Sequence, residues 1–315
     1  MDGIWTFIAS NHWSRWCNTQ NEVVKEEKRL RVDNQPYSRF LEYVKLNMFK
    51  KHPYKGTTIG KMEHLDAATL DEFLAFNKKY YVPNNATLVV AGDIDINQAK
   101  KMIESYFGSI PRGEEIKRDF PQEDLITEPI KATAYDPNIQ IPAIMTAYRT
   151  PSMKTRDSRV LDMISSYLST GRSSVLYKKM VDDKKMALQV GAINLSQEDY
   201  GTYILYGLPQ GENKLEDLIK EIDEEVVKIQ TDLISEKAYQ KLQNQFENNY
   251  VNSNSSVEGI ANSLARYHVL FGDTNLINTE IDIYRSITRE EIREVAKKYL
   301  NPNQRLILNY LPEKK

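Results

Sequence analysis

One stretch of this sequence occurs twice, and the repeat constrains how many domains the chain can form. The first copy runs from Thr69 to Val90 and the second from Thr288 to Leu308. Each copy begins with Thr-x-x-Glu, the pattern of a capping box, in which the Thr hydroxyl accepts a hydrogen bond from the first helical turn. Each continues with Lys-Lys-Tyr and Pro-Asn, which end a helix, and closes on a β-rich run that predicts a strand.

The spacing between the copies favours duplication of a whole domain. The interval from Thr69 to Thr288 is the same as the interval from Pro83 to Pro302, so the two copies stay in register. Solenoid repeats have periods of only about 20–50 residues, far shorter than this interval, and 315 residues are enough for two domains with their own cores. The alternative is that two common helix–Pro-Asn–strand connections coincide by chance. We predict two tandem homologous domains.

The pattern between the copies predicts an α+β fold. Strand-like runs at Ile130–Tyr135 and Ile141–Tyr148 precede a helical pattern, and two more at Ala187–Leu195 and Tyr200–Leu208 form a predicted hairpin. Helices follow in a group. This order is typical of a largely antiparallel sheet covered by helices on one face, and we expect each domain to have one.

The predicted domain limits follow from the charged, proline-containing stretch that begins at Pro111. We assign 1–112 to the first domain, 113–128 to a linker and 129–315 to the second domain. The second copy has a lead-in from about Ile130 to Ile287, whereas the first has only residues 1–68. Equivalent domains would need about 90 more residues before Met1, so the first domain is expected to be incomplete. Residues 1–19 show no helical or strand period and stay unassigned.

Charge and composition exclude several classes of protein. A net charge of −2 without clustered Lys and Arg argues against nucleic-acid binding. Cys17 is the single cysteine, which excludes an internal disulfide and a cysteine-based zinc knuckle. No apolar run reaches membrane-spanning length, and the sequence after Met1 lacks the basic residues of a signal peptide. The chain is predicted to be soluble as given, with a periplasmic or cytoplasmic location left open.

Most searches for catalytic spacing find nothing in this sequence. The four histidines include no pair four residues apart, so a structural role is predicted for each of His12, His52, His64 and His268. Gly171–Ser174 lacks the phosphate-loop pattern and predicts a helix cap. Glu26 and Glu27 fit a solvated helix face best. Glu27, however, shares a predicted face with Val23 and Leu30, so its carboxylate needs a cation or strong donors.

Four segments of the chain resemble a known family. They are 23–29, 60–66, 80–93 and 169–176. In this order they are similar to the pitrilysin/insulinase family of inverted zinc peptidases, especially its short bacterial members related to mitochondrial processing peptidase. The likeness extends from about Gln20 to the C-terminus. It implies tandem α+β domains, a zinc cofactor, a peptide substrate and a homologous second subunit in a heterodimer or homodimer.

The resemblance implies one metal ligand in this chain and reveals three departures. By motif position, Glu27 and not Glu26 would be the third zinc ligand. The other two ligands and the general base would come from His-x-x-Glu-His, which is absent from these 315 residues, so no catalytic residue is assigned. Gln20 stands where the family often has another glutamate. Val181 and Leu188 stand where many members have a substrate-anchoring Arg and Tyr.

Two functional hypotheses remain open. The first is an N-terminally truncated subunit of a zinc metalloendopeptidase, which hydrolyses peptides or unfolded polypeptides when complete and is inactive, without bound zinc, in this form. The alternative is a non-catalytic partner subunit or peptide-binding module that never had a metal site. A His-x-x-Glu-His encoded about 50 codons upstream would favour the first. A third reading is an unrelated structural α+β protein.

Overall fold

The computed structural model describes residues 12–313, with side chains from Cys17 onward, so most of residues 1–19 lie outside the described part. Two units are distinguished. Unit 1 holds the chain up to Thr87 together with residues 93–122, and unit 2 holds residues 88–92 together with the chain from Glu123 onward. Within residues 12–313, no helix combines the length and apolar character needed to cross a membrane.

The described part of unit 1 contains helices and no strand. Its helices are α1 (His12–Lys28), α2 (Phe40–Met48), α3 (Met62–Ala67), α4 (Leu70–Tyr80) and α5 (Ile96–Phe107). A π-helical turn, Arg29–Asp33, continues α1. α1 begins inside residues 1–19, which the sequence left unassigned.

Unit 2 contains a five-stranded sheet. Its strands are β1 (Ile130–Asp136), β2 (Ala143–Thr150), β3 (Ala187–Leu195), β4 (Gly201–Pro209) and β5 (Arg305–Pro312). They lie in the order β1-β5-β2-β4-β3, and every neighbouring pair is antiparallel except β1 with β5. The largely antiparallel α+β prediction is confirmed.

Helices cover one face of this sheet and enclose the core of unit 2. They are α6 (Arg156–Ser169), α7 (Leu215–Thr231), α8 (Glu236–Ser253), α9 (Val257–Arg266), α10 (Leu276–Ser286) and α11 (Arg289–Tyr299), with π-helical segments at Tyr177–Asp183 and Tyr267–Phe271. α6 packs against β3, α7 against β4 and β2, and α11 against β2. Leu161, Ile222 and Ile292 from these helices are fully buried with Tyr148 of β2. Their burial is the main stabilising contribution to unit 2.

Both predicted capping boxes are confirmed. At the start of α4, the Glu72 carboxylate accepts from the Thr69 backbone N–H at 2.8 Å, and the Thr69 hydroxyl accepts from the Glu72 N–H. Thr288 and Glu291 make the same pair of bonds at the start of α11. Reciprocal capping satisfies N–H groups that the first helical turn leaves without partners.

The order of elements in the two units repeats. The helices α8, α9, α10 and α11 and the 3₁₀ turn at Pro302 follow the same order as α1, α2, α3, α4 and the 3₁₀ turn at Pro83. The limits of α4 and α11 coincide when the two copies are aligned on their capping threonines. This correspondence supports the predicted duplication, which stays our proposal.

The strand predicted at the end of the first copy is wrong. Residues 87–90 form no strand, and Leu88 is 58% exposed. In the second copy Leu306 and Leu308 are fully buried in β5, which pairs with β1 and β2. A β-rich segment becomes a strand only when a neighbour satisfies its N–H and C=O groups. Within residues 12–313, the first copy has no such neighbour.

The predicted linker contains no helix or strand between residues 111 and 128. Its last part is held in unit 2, because Arg149 of β2 donates to the Asp124 carbonyl at 2.6 Å and to the Glu123 carboxylate at 3.3 Å. The limits assigned from the sequence, at 112 and 129, stay a prediction.

A buried carboxyl group on α6 makes the stability of unit 2 depend on pH. Asp162 accepts from Asn194 at 2.8 Å and from the Tyr284 hydroxyl at 3.0 Å. Burial raises the pKa of Asp162, and this effect outweighs the two hydrogen bonds, which lower the pKa. The folded state therefore holds this proton more tightly than the unfolded state does. The stability that Asp162 contributes is present below its ordinary pKa of about 3.9. It is lost as the pH rises through the raised pKa.

We expect Asp162→Asn to remove this component from the pH dependence of the unfolding free energy above about pH 4. Urea denaturation followed by far-UV circular dichroism at several pH values checks it. Asp282→Asn is the control, because Asp282 is an exposed carboxylate paired only with Arg285 of its own helix in the described structure. A pH slope that is the same in Asp162→Asn and the parent chain would contradict the prediction.

Candidate functional site

The candidate metal ligand Glu27 lies on α1, on a face that is open to solvent. Its neighbours on that face, Val23 and Leu30, are 53% and 55% exposed. The Glu27 carboxylate is 3.2 Å from the guanidinium of Arg31, one turn along the helix, and both side chains are partly exposed. The prediction that this carboxylate needs a cation is therefore met by Arg31, at an exposed pair that stabilises the helix only slightly.

The internal repeat allows Glu27 to be compared with the equivalent position in the second copy. In the register that aligns Thr69 with Thr288, the position equivalent to Glu27 is Phe246 of α8. Phe246 packs against the core of unit 2 and stacks on Tyr284 with ring centroids 4.6 Å apart. Glu27 thus occupies a position that faces the interior in the second copy. The neighbouring Glu26 pairs with Arg29 on the solvated side.

The structure brings together two of the segments that carry the family resemblance. Lys25 of α1 is buried and its ammonium lies 2.8 Å from Asp66 at the end of α3. Asn21 of α1 donates to the Leu65 carbonyl at 2.7 Å. These bonds fix α3 against α1, so residues 60–66 act as a support for the helix that bears Glu27.

The residues described do not form a zinc site. Zinc in proteins takes three or four His, Cys, Asp or Glu ligands. Between residues 12 and 313 no group of three such side chains is placed to hold a metal ion. Glu27 supplies one carboxylate, already paired with Arg31. Its assignment as third zinc ligand therefore stays a prediction, and no chemical step can be derived through zinc from this chain.

One of the histidines has a clear structural role. His52 is buried, and its Nδ1 accepts from the Tyr54 backbone N–H at 3.2 Å. Its ring packs edge-on against Tyr54 and Phe120, with centroids 4.2 and 5.4 Å away. It caps the short 3₁₀ turn at Pro53, as the prediction of a structural histidine requires.

The two predicted substrate-anchor positions are apolar and lie in different surroundings. Val181, in the π-helical segment Tyr177–Asp183, packs partly buried against the core. Leu188 on β3 is 48% exposed. β3 is an outer strand that, among the described residues, pairs with β4 alone. These positions offer apolar contact and an open strand edge in place of hydrogen bonds from Arg and Tyr side chains.

A charged network that sequence reasoning missed lies beside Val181. The Lys179 ammonium is within 3.0 Å of Glu221, Glu224 and Glu225 of α7. Burial alone would lower the pKa of Lys179, but the hydrogen bonds that its ammonium donates to these carboxylates raise it above its usual range. The sequence signal that could have indicated this network is the spacing of the three glutamates, i, i+3 and i+4, which places them on one face of a predicted helix. The network clamps the π-helical segment to α7 and leaves Lys179 charged.

Comparison with protein families identifies the class of protein. Residues 67–246, more than half of the chain, match the family model described as the peptidase M16 inactive domain. The chain therefore belongs to the M16 peptidases, the pitrilysin/insulinase family, and the resemblance predicted from the four segments is confirmed.

Individual relatives carry the name zinc protease. The chain is 27% identical over 256 residues to the zinc protease PqqE of Helicobacter pylori, across 79% of this chain and 57% of the relative, so it spans less than two thirds of that protein. A solved protease from Helicobacter pylori superposes with a TM-score of 0.84 at 23% identity, over 93% of this chain and 71% of that one. The periplasmic protease PqqL from Escherichia coli superposes with a TM-score of 0.74 at 18% identity, over 96% and 33%. These superpositions establish the fold.

Proposed function

We propose that this chain is a component of an M16 zinc peptidase that binds peptides or unfolded polypeptides and does not hydrolyse them by itself. The observation that carries the proposal is the match of residues 67–246 to the family's inactive domain. The sequence agrees with it, because His-x-x-Glu-His does not occur among the 315 residues. Without that helix, the chain lacks two zinc ligands and the general base that the family resemblance implies.

The outer strand β3 is the best-placed element to hold an extended peptide. Its outer edge has no paired strand among the described residues, so its backbone groups can bond to an added strand. Leu188 and Gln189 are exposed on it, and Gln189 donates to the Tyr206 hydroxyl of β4 at 3.2 Å. Main-chain pairing would bind peptides of many sequences, which suits an unfolded substrate.

The proposal also includes Glu27 as a metal ligand and a homologous second subunit. Glu27 would contribute its carboxylate to a metal only when a His-x-x-Glu-His segment from outside the 315 residues lies against α1. The match of this chain to one third of the PqqL chain supports a pairing of homologous units, within one polypeptide or between two. The apolar residues at both anchor positions, Val181 and Leu188, fit the zinc-bearing type of subunit, whose partner would supply the anchors. The alternative is a non-catalytic partner subunit that never had a metal site.

The proposal is tested on the purified chain with metal analysis, a panel of unfolded peptides and a chelator. We expect no stoichiometric zinc and no chelator-sensitive cleavage, but binding of labelled unfolded peptide measured by fluorescence polarisation. Gln189→Pro removes a backbone N–H from β3 and should weaken binding, whereas Glu27→Gln should not change it. Chelator-sensitive cleavage by this chain alone would refute the proposal.

A further inference from the structure

A small cavity in unit 2 lies between the end of α6, the turn that follows α6 and the helix α8. Its volume is about 160 Å³. An apolar cavity of about 150 Å³ is large enough to hold benzene, so this one can take an apolar group the size of a six-membered ring. Every residue that lines it belongs to unit 2.

The walls of the cavity are mostly apolar. α8 contributes Ala238, Leu242 and Gln245, which lie at positions i, i+4 and i+7 and therefore on one face of the helix. Leu242 is 2% exposed and is part of the core of unit 2. Val175 and Tyr167 supply apolar surface from the other two elements. The cavity is thus suited to an aliphatic or aromatic group.

A lysine and a serine add a cationic edge to the same cavity. The Lys241 ammonium of α8 donates to the Ser173 hydroxyl at 2.7 Å, and both residues are exposed. Between residues 12 and 313, the Lys241 ammonium has no carboxylate partner. An ammonium group has three N–H donors, so two remain for a ligand. The side-chain amide of Gln245 also has no protein partner within the described part of the chain.

The turn that carries Ser173 does not make the side-chain helix cap that the sequence predicts for Gly171–Ser174. The turn is closed through its backbone, because the Ser174 N–H donates to the Gly171 carbonyl at 3.0 Å. The Ser173 hydroxyl bonds to Lys241, and the buried Ser174 hydroxyl has no hydrogen-bond partner among the described residues. The Ser173 hydroxyl is therefore available to a ligand together with the lysine.

We propose that this cavity binds a carboxylate attached to a compact apolar group. The carboxylate would bond to Lys241 and Ser173, and the apolar group would lie between Val175 and Leu242. Such a ligand is either the C-terminal residue of a peptide or a free carboxylic acid of similar size. The proposal does not rest on the proposed function, because neither β3 nor Glu27 takes part in it.

Both halves of the ligand follow from the lining of the cavity. Hydrogen bonds between an ammonium and a carboxylate are about twice as strong as those between neutral groups, so Lys241 favours an anion over an amide. Inorganic sulfate or phosphate would use the same donors but would leave the apolar walls in contact with water. A few polar groups beside an apolar cavity are typical of small-molecule sites.

Titrations of the full chain followed by ligand-observed NMR test the proposal with three probes. N-acetyl-leucine represents a peptide C-terminus and is too short to pair along β3, N-acetyl-leucinamide lacks its charge, and 4-methylpentanoate represents a free acid. We expect Kd of about 1 mM or tighter for at least one of the acids and binding at least about ten-fold weaker for the amide. The acid that binds more tightly identifies the source of the ligand.

Two variants test the two halves of the site separately. Lys241→Gln removes the charge and Ala238→Leu fills the cavity, and each should weaken binding of the preferred acid about ten-fold or more. The matched control is Lys220→Gln, since Lys220 is an exposed lysine of α7 that does not line the cavity, and it should change binding by less than about two-fold. Unchanged far-UV circular dichroism shows that each variant is folded.

Three outcomes on the parent chain would overturn the proposal without reference to any variant. They are the absence of saturable binding of either acid, equal binding of N-acetyl-leucine and its amide, and displacement of the bound acid by inorganic sulfate as effectively as by a second acid. Gln189→Pro, which tests the proposed function at β3, should leave acid binding unchanged. Failure of one proposal is therefore distinguishable from failure of the other.

Discussion

Ile292→Ala is expected to lower the free energy of unfolding by about 2–4 kcal/mol, whereas Phe73→Ala is expected to change it by less than about 0.5 kcal/mol. The two residues occupy the same position of the repeated segment. Ile292 is 1% exposed and lies in the core of unit 2, so truncation removes buried contacts and leaves a cavity. Phe73 is 44% exposed and loses little when its ring is removed.

The measurement is chemical denaturation followed by far-UV circular dichroism. Glu290→Ala, a solvent-side change on the same helix as Ile292, serves as the control. A cost for Phe73→Ala comparable to that of Ile292→Ala would contradict the prediction, because it would mean that the Phe73 ring is buried in the isolated chain.

Local sequence signals predicted most of the fold because the residues that begin and end each helix or strand lie within it or next to it. The capping boxes at Thr69 and Thr288 begin α4 and α11, and Pro83 and Pro302 end them in the same 3₁₀ turn. The prediction of β3 as Ala187–Leu195 has the limits observed. These signals lie within a few residues of the element they define, so no tertiary information is needed.

The strand predicted after Pro83 failed because strand formation is not local. The apolar runs after Pro83 and Pro302 have the same β propensity, but only β5 has neighbours on both sides among the described residues. Tertiary context decides whether such a run forms a strand. The same reasoning applies to α4, whose sequence predicts an apolar stripe but cannot say whether a sheet lies beside it.

The candidate site was less predictable than the fold. The predicted helix face placed Glu27 among apolar residues, and the structure places it there, with Arg31 as its ion-pair partner. Convergence of ligands depends on elements far apart in sequence, so spacing alone cannot assemble a metal site. The Lys179 network was missed for the same reason, because Lys179 and the glutamates that bind it are about forty residues apart.

Asp223→Ala is expected to have the largest effect on stability, about 3–5 kcal/mol. Arg305 at the start of β5 has a side chain only 6% exposed and binds the Asp223 carboxylate of α7 through two nitrogens, at 2.5 and 2.8 Å. It also contacts the Tyr148 hydroxyl of β2 at 3.0 Å. Removing the carboxylate leaves a guanidinium charge buried without compensation, because the hydroxyl of Tyr148 cannot replace it.

The double variant Asp223→Ala/Arg305→Met separates the cost of the orphaned charge from the value of the pair. It should recover a large part of the stability lost in Asp223→Ala, since an apolar side chain of similar length fills the same space. Lys297→Ala, which removes an exposed pair on α11, should cost less than about 0.5 kcal/mol under the same conditions. A cost below about 1 kcal/mol for Asp223→Ala would show that water reaches Arg305. β5 would then be held in the sheet by its strand pairing and buried leucines, without the bidentate bond to α7.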